Sequence, residues 1–257
     1  MTSGFAEKYG PWAFIAGAST GIGAAAARAF ARHGSKLVIH YNASKDAAEA
    51  VARDCRGLGG HAALVSGDVT EPANVARIAA EAREAYGRID VLINNAGGLI
   101  GRTRIEDYTE AYISQVLALN VIQVALFMHE VVPVMRRQKH GNIINVTSIA
   151  ARHGGGAGAI IYAGAKGFVS TATRGWAKEL VGDGIRVNAV SPGVITTPFH
   201  DRYTTSEQLK AMQTTIPMSR LGTPDECAGT FVYLASDAMS GYVTGQVIEV
   251  NGGQYMP

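Results

Sequence analysis

Tyr162 and Lys166 stand four residues apart in a stretch of helical spacing, which puts a phenol and an ammonium on one helix face. A free tyrosine has a pKa of about 10, too high for proton transfer near neutrality. A neighbouring ammonium and an oxidised nicotinamide would both favour the phenolate and lower that value. Such a pair is common on helices, so its meaning depends on what accompanies it. Ser148 closes an apolar run over 142–147, and Asn120 lies inside the long helical pattern before that run. Alone, these two read as a strand-end cap and a buried helix amide. A further constellation is Gly17-Ala18-Ser19-Thr20-Gly21-Ile22-Gly23, between an apolar run and an Ala-rich helical stretch. Glycines there let the backbone turn sharply and approach a pyrophosphate, whose charge the following helix N-terminus favours.

A rival chemistry uses the same residues. Gly17-Ala18-Ser19-Thr20-Gly21 fits the GxSxG elbow of serine hydrolases, and His153-Gly154-Gly155-Gly156 fits an HGGG oxyanion loop. In that arrangement the oxyanion loop precedes the nucleophile, and here the order is reversed. The elbow also does not normally open the first strand–helix unit. A hydrolase using Ser19 stands as the alternative from another class.

The positioning elements follow from pattern. Apolar runs at Trp12–Ala16, Lys36–Tyr41, Ala62–Ser66, Val91–Asn94, Asn142–Thr147, Arg186–Val190 and Gln246–Val250 are mostly continuous, as in strands buried on both faces of a parallel sheet. Between them, helical spacing predicts helices over about 24–33, 45–57, 72–86, 109–139, 161–182 and 224–236. The alternation predicts an α/β fold: a doubly wound, seven-stranded parallel sheet with helices on both faces, in one domain over 1–257. The irregular stretch 192–223 contains Pro192, Pro198 and Pro217 and follows the sixth strand, where open sheets bind ligands. It is expected to be a substrate lid, helical in part.

These positions together carry a resemblance. The glycine loop, Asp68-Val69 after the third strand, Asn94-Asn95-Ala96-Gly97 after the fourth, Asn120, Ser148, Tyr162-xxx-Lys166 and Pro192-Gly193 after the sixth occur in the order seen in the short-chain dehydrogenase/reductase family. The chain resembles that family over essentially its full length. The resemblance implies a Rossmann-type, NAD(P)-dependent oxidoreductase that moves a hydride between nicotinamide and a carbonyl or secondary alcohol carbon. Tyr162 would be the acid–base, and Lys166 would hold the nicotinamide ribose. Ser148 would bond the substrate oxygen, and Asn120 would hold a water in a proton relay. Cofactor contacts are expected from Gly17, Ser19, Thr20, Gly21, Ile22, Gly23, Tyr41, Asn42, Ser44, Asp68, Val69, Asn95, Ala96, Gly97, Pro192, Gly193, Ile195 and Thr197. Two departures stand out: Ala16-Gly17 replaces the family's Thr-Gly, and Ser148 and Tyr162 are 14 apart, one more than usual. Gly154-Gly155-Gly156 offers a loop to absorb that extra residue. Family members usually form homotetramers through the helices predicted here over 109–139 and 161–182, and the first is apolar around much of its girth.

NAD preference is marked by an acidic residue about 20 positions past the glycine loop, on the ribose 2′-hydroxyl. The second strand instead ends His40-Tyr41-Asn42-Ala43-Ser44-Lys45, whose amide, hydroxyl and ammonium groups suit a 2′-phosphate. NADP(H) is favoured over NAD(H), although Thr20 stands where NADP enzymes often carry a basic residue. Substrate-pocket candidates are Gly98–Arg104, Arg152–Gly156 and Pro192–Thr205, including His200, Arg202 and Tyr203. That polar lining favours a hydroxylated small molecule such as a sugar or polyol, with a 3-oxoacyl thioester as the alternative. Arg136, Arg137, Lys139 and Lys178 could dock a carrier protein, but read first as solvated helix charges.

The gross numbers limit the rest. Of 257 residues, 47% are hydrophobic and 17% charged, and 23 basic against 21 acidic side chains leave +2, with no basic face for nucleic acid. Cys55 and Cys227 make no motif and suit a reducing cytoplasm. Met1–Gly10 lacks the apolar stretch of a signal peptide, and no uninterrupted run of 18 apolar residues suggests a membrane span. The histidines show no metal-ligand spacing and default to surface or loop positions, so no metal site is expected.

Overall fold

The structure, a computed structural model, describes residues 12–257. The readings of Met1–Gly10 and of the expected domain's first residues therefore lie outside the described residues. Each apolar run becomes a strand: β1 (Trp12–Ala16), β2 (Lys36–Tyr41), β3 (His61–Ser66), β4 (Val91–Asn94), β5 (Gly141–Val146), β6 (Ile185–Pro192) and β7 (Val247–Val250). All pair in parallel, in the order β3-β2-β1-β4-β5-β6-β7. The order reverses between β1 and β4, where an open α/β sheet leaves a crevice at its strands' carboxyl ends.

Helices cover both faces: α1 (Gly21–Ala31), α2 (Lys45–Gly57), α3 (Pro72–Tyr86), α4 (Glu110–Leu117), α5 (Gln123–Gln138), α6 (Ala150–His153), α7 (Ile160–Leu180), α8 (Pro198–Tyr203), α9 (Ser206–Thr214), α10 (Pro224–Ala235) and α11 (Asp237–Ser240). Because strand side chains alternate between faces, the sheet supports two cores. Ala13 and Ile15 of β1 face one, with Phe30, Val51 and Phe231 from α1, α2 and α10. Phe14 and Ala16 face the other, with Ile78, Phe127 and Leu180 from α3, α5 and α7. Phe14 and Phe127 meet edge to face at 5.3 Å, one of the preferred aromatic geometries. Buried alanines 24–27 of α1 leave room for α10 to lie close against it.

Two elements depart from the sequence expectation. The helix predicted over 109–139 is interrupted by a π-helical turn, Ala118–Ile122, which contains Asn120. The stretch Glu110–Gln138 is, by length and composition alone, long and apolar enough to cross a membrane, although no such stretch was expected. Two of its faces are apolar: Phe127, Val131 and Met135 are buried, while Ile122 on another face is 46% exposed. The 192–223 stretch is helical in part, as expected, with α8 and α9 inside it. β5 stops at Val146, and Ser148 stands in the bend beyond it instead of closing the strand.

Candidate active site

The glycine loop runs from β1 into α1 under three constraints. Gly17 and Gly21 have φ of +71° and +57°, a region costly to residues with a Cβ. A Cβ on Gly17 would lie 2.8 Å from the Ala96 Cα, so β4's exit leaves no space there. Two side chains from other strands then pin the loop. Asn95 gives its Nδ2 to the Gly17 carbonyl at 2.6 Å, and the Gly17 N–H donates to His40 Nδ1 at 3.0 Å. With Nδ1 accepting, His40 carries its proton on Nε2, which lies 2.9 Å from the Gly67 carbonyl. Burial holds its pKa below the usual value, keeping the ring neutral as this arrangement requires. His40 is thus an interior brace joining β1, β2 and β3, contrary to the surface or loop position expected of a histidine.

Gly23 is the one glycine-loop position expected to touch a cofactor that does not line the cavity. A Cβ there would lie 2.4 Å from the Gly17 carbonyl and 2.6 Å from Asn95 Nδ2, so its absence lets α1 seat against the loop. Gly23→Ala is expected to displace the loop and weaken nicotinamide-cofactor binding by about tenfold or more, about 1.4 kcal/mol. A fluorescence titration measures this, and unchanged affinity would show that the loop tolerates the shift.

At the other end of the crevice, α7 is registered against the end of β5 by buried polar contacts. The Thr147 hydroxyl donates to the Lys166 carbonyl at 2.8 Å, and Lys166 Nζ donates to the Val146 carbonyl at 2.8 Å. Deeper, Asn94 bonds Asn145 at 2.9 Å and Asn145 bonds Thr173 at 3.0 Å, tying β4, β5 and α7 together. This places the Tyr162 phenol in hydrogen-bonding contact with the Ser148 hydroxyl. Lys166 Nζ lies 5.9 Å from the Tyr162 ring centroid.

Without a bound nicotinamide, the electrostatics of the tyrosine run the other way. Burial pushes the Tyr162 phenol up to about 12, and the Ser148 hydrogen bond pulls only part of the way back. Lys166 is itself stripped of water, which brings its ammonium down to about 8. A cation destabilised by burial and bonded to a backbone carbonyl does not offset the phenolate's loss of hydration. In the protein alone, Tyr162 is therefore a protonated donor at neutral pH.

Asn120 spends its side chain on the protein itself. It is fully buried and does not line the cavity. Its Oδ1 accepts from the Gly98 N–H at 3.1 Å, and its Nδ2 donates to the Gly98 and Val116 carbonyls at 2.8 and 2.9 Å. The side-chain amide is consumed as a clamp on the strand that leaves β4, so a relay water would have to use another group. Gln123, which the sequence did not single out, supports the same strand by donating to the Ala96 carbonyl at 3.0 Å.

Between these ends lies a cavity of about 520 Å³, within the range for small-molecule and cofactor sites. It is lined by Gly17, Ser19, Thr20, Gly21 and Ile22; by Tyr41, Asn42 and Ser44; by Asp68, Val69, Asn95, Ala96 and Gly97; by Ser148, Tyr162 and Lys166; and by Pro192, Gly193, Ile195 and Thr197. Apart from Gly23 and Asn120, every predicted catalytic and cofactor-binding residue is brought to one crevice, whereas the predicted substrate-pocket ranges line it only in part. Glycines where a Cβ would collide, and a polar rim at the end of β2, fit an extended dinucleotide. The substrate end is formed by Gly98, Leu99, Arg102, His153, Gly155, Gly156, Phe199, His200, Arg202 and Tyr203. Arg152 was expected there but turns away to bond Glu249 at 2.8 Å. Gly154 and Gly155 have φ of +84° and +79°, in the stretch expected to absorb the longer Ser148–Tyr162 spacing. Met212 and Gln254 are lining residues without any local sequence signal. For the hydrolase alternative, both His40 ring nitrogens are engaged by backbone, and no histidine bonds Ser19 among the described residues.

Known proteins agree with this arrangement. A family profile described as enoyl-(acyl carrier protein) reductase matches residues 17–254. The chain is 39% identical to a 3-oxoacyl-[acyl-carrier-protein] reductase of Synechocystis sp., over 95% of this chain and 96% of that protein. It is 38% identical to a reductase of the same description from Thermotoga maritima, over 93% of this chain and 95% of that one. Among solved structures, an NADH-dependent reductase responsible for alginate metabolism superposes with a TM-score of 0.88 at 36% identity, covering 95% of this chain and 97% of that one. The same reductase complexed with NAD gives 0.85, over 95% and 96%. With a sheet order, a glycine cradle and a Ser–Tyr–Lys set that fit the same chemistry, the chain belongs to the short-chain dehydrogenase/reductase family and is an NAD(P)-dependent oxidoreductase acting on carbonyl and alcohol groups.

Proposed function

We propose that this protein works chiefly as an NADP(H)-linked ketone reductase, with Tyr162 as proton donor, Ser148 orienting the substrate oxygen and Lys166 holding the nicotinamide ribose. The observation that carries this reading is the Tyr162 phenol, in contact with Ser148 and held protonated by burial at the edge of a cavity that reaches the glycine cradle. Reduction of a ketone needs a proton on the developing alkoxide, and an alkoxide is far more basic than a phenolate. A bound nicotinamide supplies the hydride; the remaining work belongs to the chain. Ser148 and Tyr162 present two hydroxyls to one oxygen, which fixes the carbonyl and gives the proton a short path. Lys166, braced on the Val146 carbonyl, keeps a positive charge beside Gly97.

The cofactor preference rests on the end of β2, where Tyr41, Asn42 and Ser44 line the cavity without a carboxylate. The NADH dependence of the alginate-related reductase belongs to that protein and gives the opposing precedent. Titration of NADPH and NADH against wild type and Tyr41→Asp tests the choice. NADPH is expected to bind more tightly to wild type, and the added carboxylate is expected to weaken NADPH by about tenfold or more while NADH holds or improves. Tighter NADH binding by wild type would reverse the assignment.

For the substrate, the polar lid end favours a hydroxylated small molecule of the sugar or polyol kind. The names of the two bacterial relatives favour the second reading, a 3-oxoacyl thioester. One domain with the 192–223 segment as its lid is the organisation that suits either. Exposed Ile122, Ile160, Phe168 and Val181 on the helices around 110–181 support a homotetramer packed through them. Two buried free thiols, Cys55 and Cys227, suit the reducing cytoplasm as location.

A further inference from the structure

The substrate end of the cavity holds a positive charge with no carboxylate against it. Arg102 donates Nε to the Tyr203 carbonyl and Nη1 to the Ala157 carbonyl, each at 2.9 Å. Carbonyls accept these bonds without cancelling the charge, and Nη2 has no partner among the described residues. No acidic side chain pairs with Arg102 or with Arg202, the exposed second guanidinium of this lining, among the described residues. The acidic residue that does line the cavity, Asp68, sits beyond β3 at the opposite end, its Oδ1 held by Thr70.

The charge is felt locally. Burial first and the Arg102 guanidinium second hold the His200 imidazole below its ordinary pKa, against an opposite pull from exposed Asp201. His200 Nδ1 lies 3.0 Å from Thr204 Oγ1, and Nε2 has no partner among the described residues. Contacts within the lid link the cation to the proton donor. The Tyr162 ring contacts Phe199 at 5.9 Å, Phe199 contacts Tyr203 at 5.3 Å, and the Tyr203 carbonyl holds Arg102. The cation thus lines the same cavity as the proton donor, bonded to the Tyr203 main chain on the lid side, and is placed to read a part of the substrate other than the reacting carbonyl.

We propose that the substrate is a carbonyl compound bearing a carboxylate several bonds from the reacting carbon, recognised by Arg102 with Arg202 as a second charge at the mouth. The proposal rests on the reductase reading above and narrows its substrate class. A guanidinium–carboxylate contact in a partly desolvated cavity is expected to contribute about ten- to a hundredfold in affinity. Arg102 also braces the lid, and a brace alone would affect charged and neutral substrates equally.

Matched substrates separate the two roles. Initial rates are measured with reduced cofactor and either 4-oxopentanoate or its methyl ester. Wild type is expected to favour the acid by about tenfold or more in kcat/KM, through KM. Arg102→Gln is expected to bring the ratio close to one, and Arg102→Lys to keep most of it. Arg202→Gln, at an exposed position, is expected to lower it in part. Equal kcat/KM for acid and ester in wild type overturns the proposal, as does a preference surviving in both glutamine variants. If neither ketone is reduced, the reductase reading has failed for these substrates, and binding decides the anion site separately. Calorimetry of 4-hydroxypentanoate with the cofactor-loaded protein then supports the site if binding is lost in Arg102→Gln, and overturns it if wild type does not bind.

Discussion

Tyr162→Phe is expected to lower kcat by about 100- to 10,000-fold, the usual contribution of a positioned general acid, while leaving cofactor affinity within about twofold. The substitution removes one oxygen and keeps the ring that packs against Phe199. The fold should therefore survive, and Ser148 loses only a hydroxyl partner. The same variant tests the pH argument. A phenol raised by burial stays protonated below its folded value and ionises only as the pH rises towards about 12. In the protein without cofactor, the near-ultraviolet difference between wild type and Tyr162→Phe should show one phenolate appearing well above the ordinary value of about 10. Reduction, which needs the phenol, should hold its rate into the alkaline range, whereas alcohol oxidation, which needs the phenolate, should rise with pH. A variant retaining more than about a tenth of wild-type kcat would remove Tyr162 from the chemistry.

Asn120→Leu is the second large effect, and it separates a clamp from a water holder. The side chain serves three backbone groups: the Gly98 N–H, the Gly98 carbonyl and the Val116 carbonyl. Leucine is close in size but leaves them buried without partners, at about 1–3 kcal/mol for each group that finds no substitute. With partial relaxation, the expected loss is about 2–5 kcal/mol, or a fall in Tm of roughly 5–15 °C for a chain of this size. Catalysis should fall with it, because Asn120 Oδ1 and Lys166 Nζ both crowd the Cα of Gly97, at 2.9 and 3.0 Å from where a Cβ would stand. Releasing Gly98 therefore disturbs the surroundings of the lysine. Asn120→Asp is not expected to rescue the protein, since a carboxylate would face two carbonyls in a fully buried place. Thermal melts decide the matter. A wild-type Tm with lost activity would point back to a relay water; a lowered Tm supports the clamp.

The sequence by itself determined whatever depends on short-range geometry. Strands β1, β2 and β4 appear at their predicted bounds because residues buried on both faces must be apolar at every position. The glycine loop was legible because positive φ at Gly17 and Gly21 is tolerated by little else. Tyr162 and Lys166 were legible because four residues make about one helical turn. Their company, Ser148 and the ends of β3, β4 and β6, followed because carboxyl ends of parallel strands converge on one edge of the sheet.

The tertiary structure alone decided which group each polar side chain meets. His40 bridges Gly17 and Gly67, Asn120 grips Gly98, and Arg102 joins Tyr203 to Ala157. These partners lie between 22 and 101 residues apart in the chain, so no local period relates them. Their meetings depend on strand order, register and the angle at which α8 folds over the crevice. The direction of the Tyr162 shift belongs to the same class. Sequence spacing placed a cation on the same helix face, but how much water reaches the phenol and the ammonium is a property of the packed interior, and there desolvation outweighs the charge of Lys166.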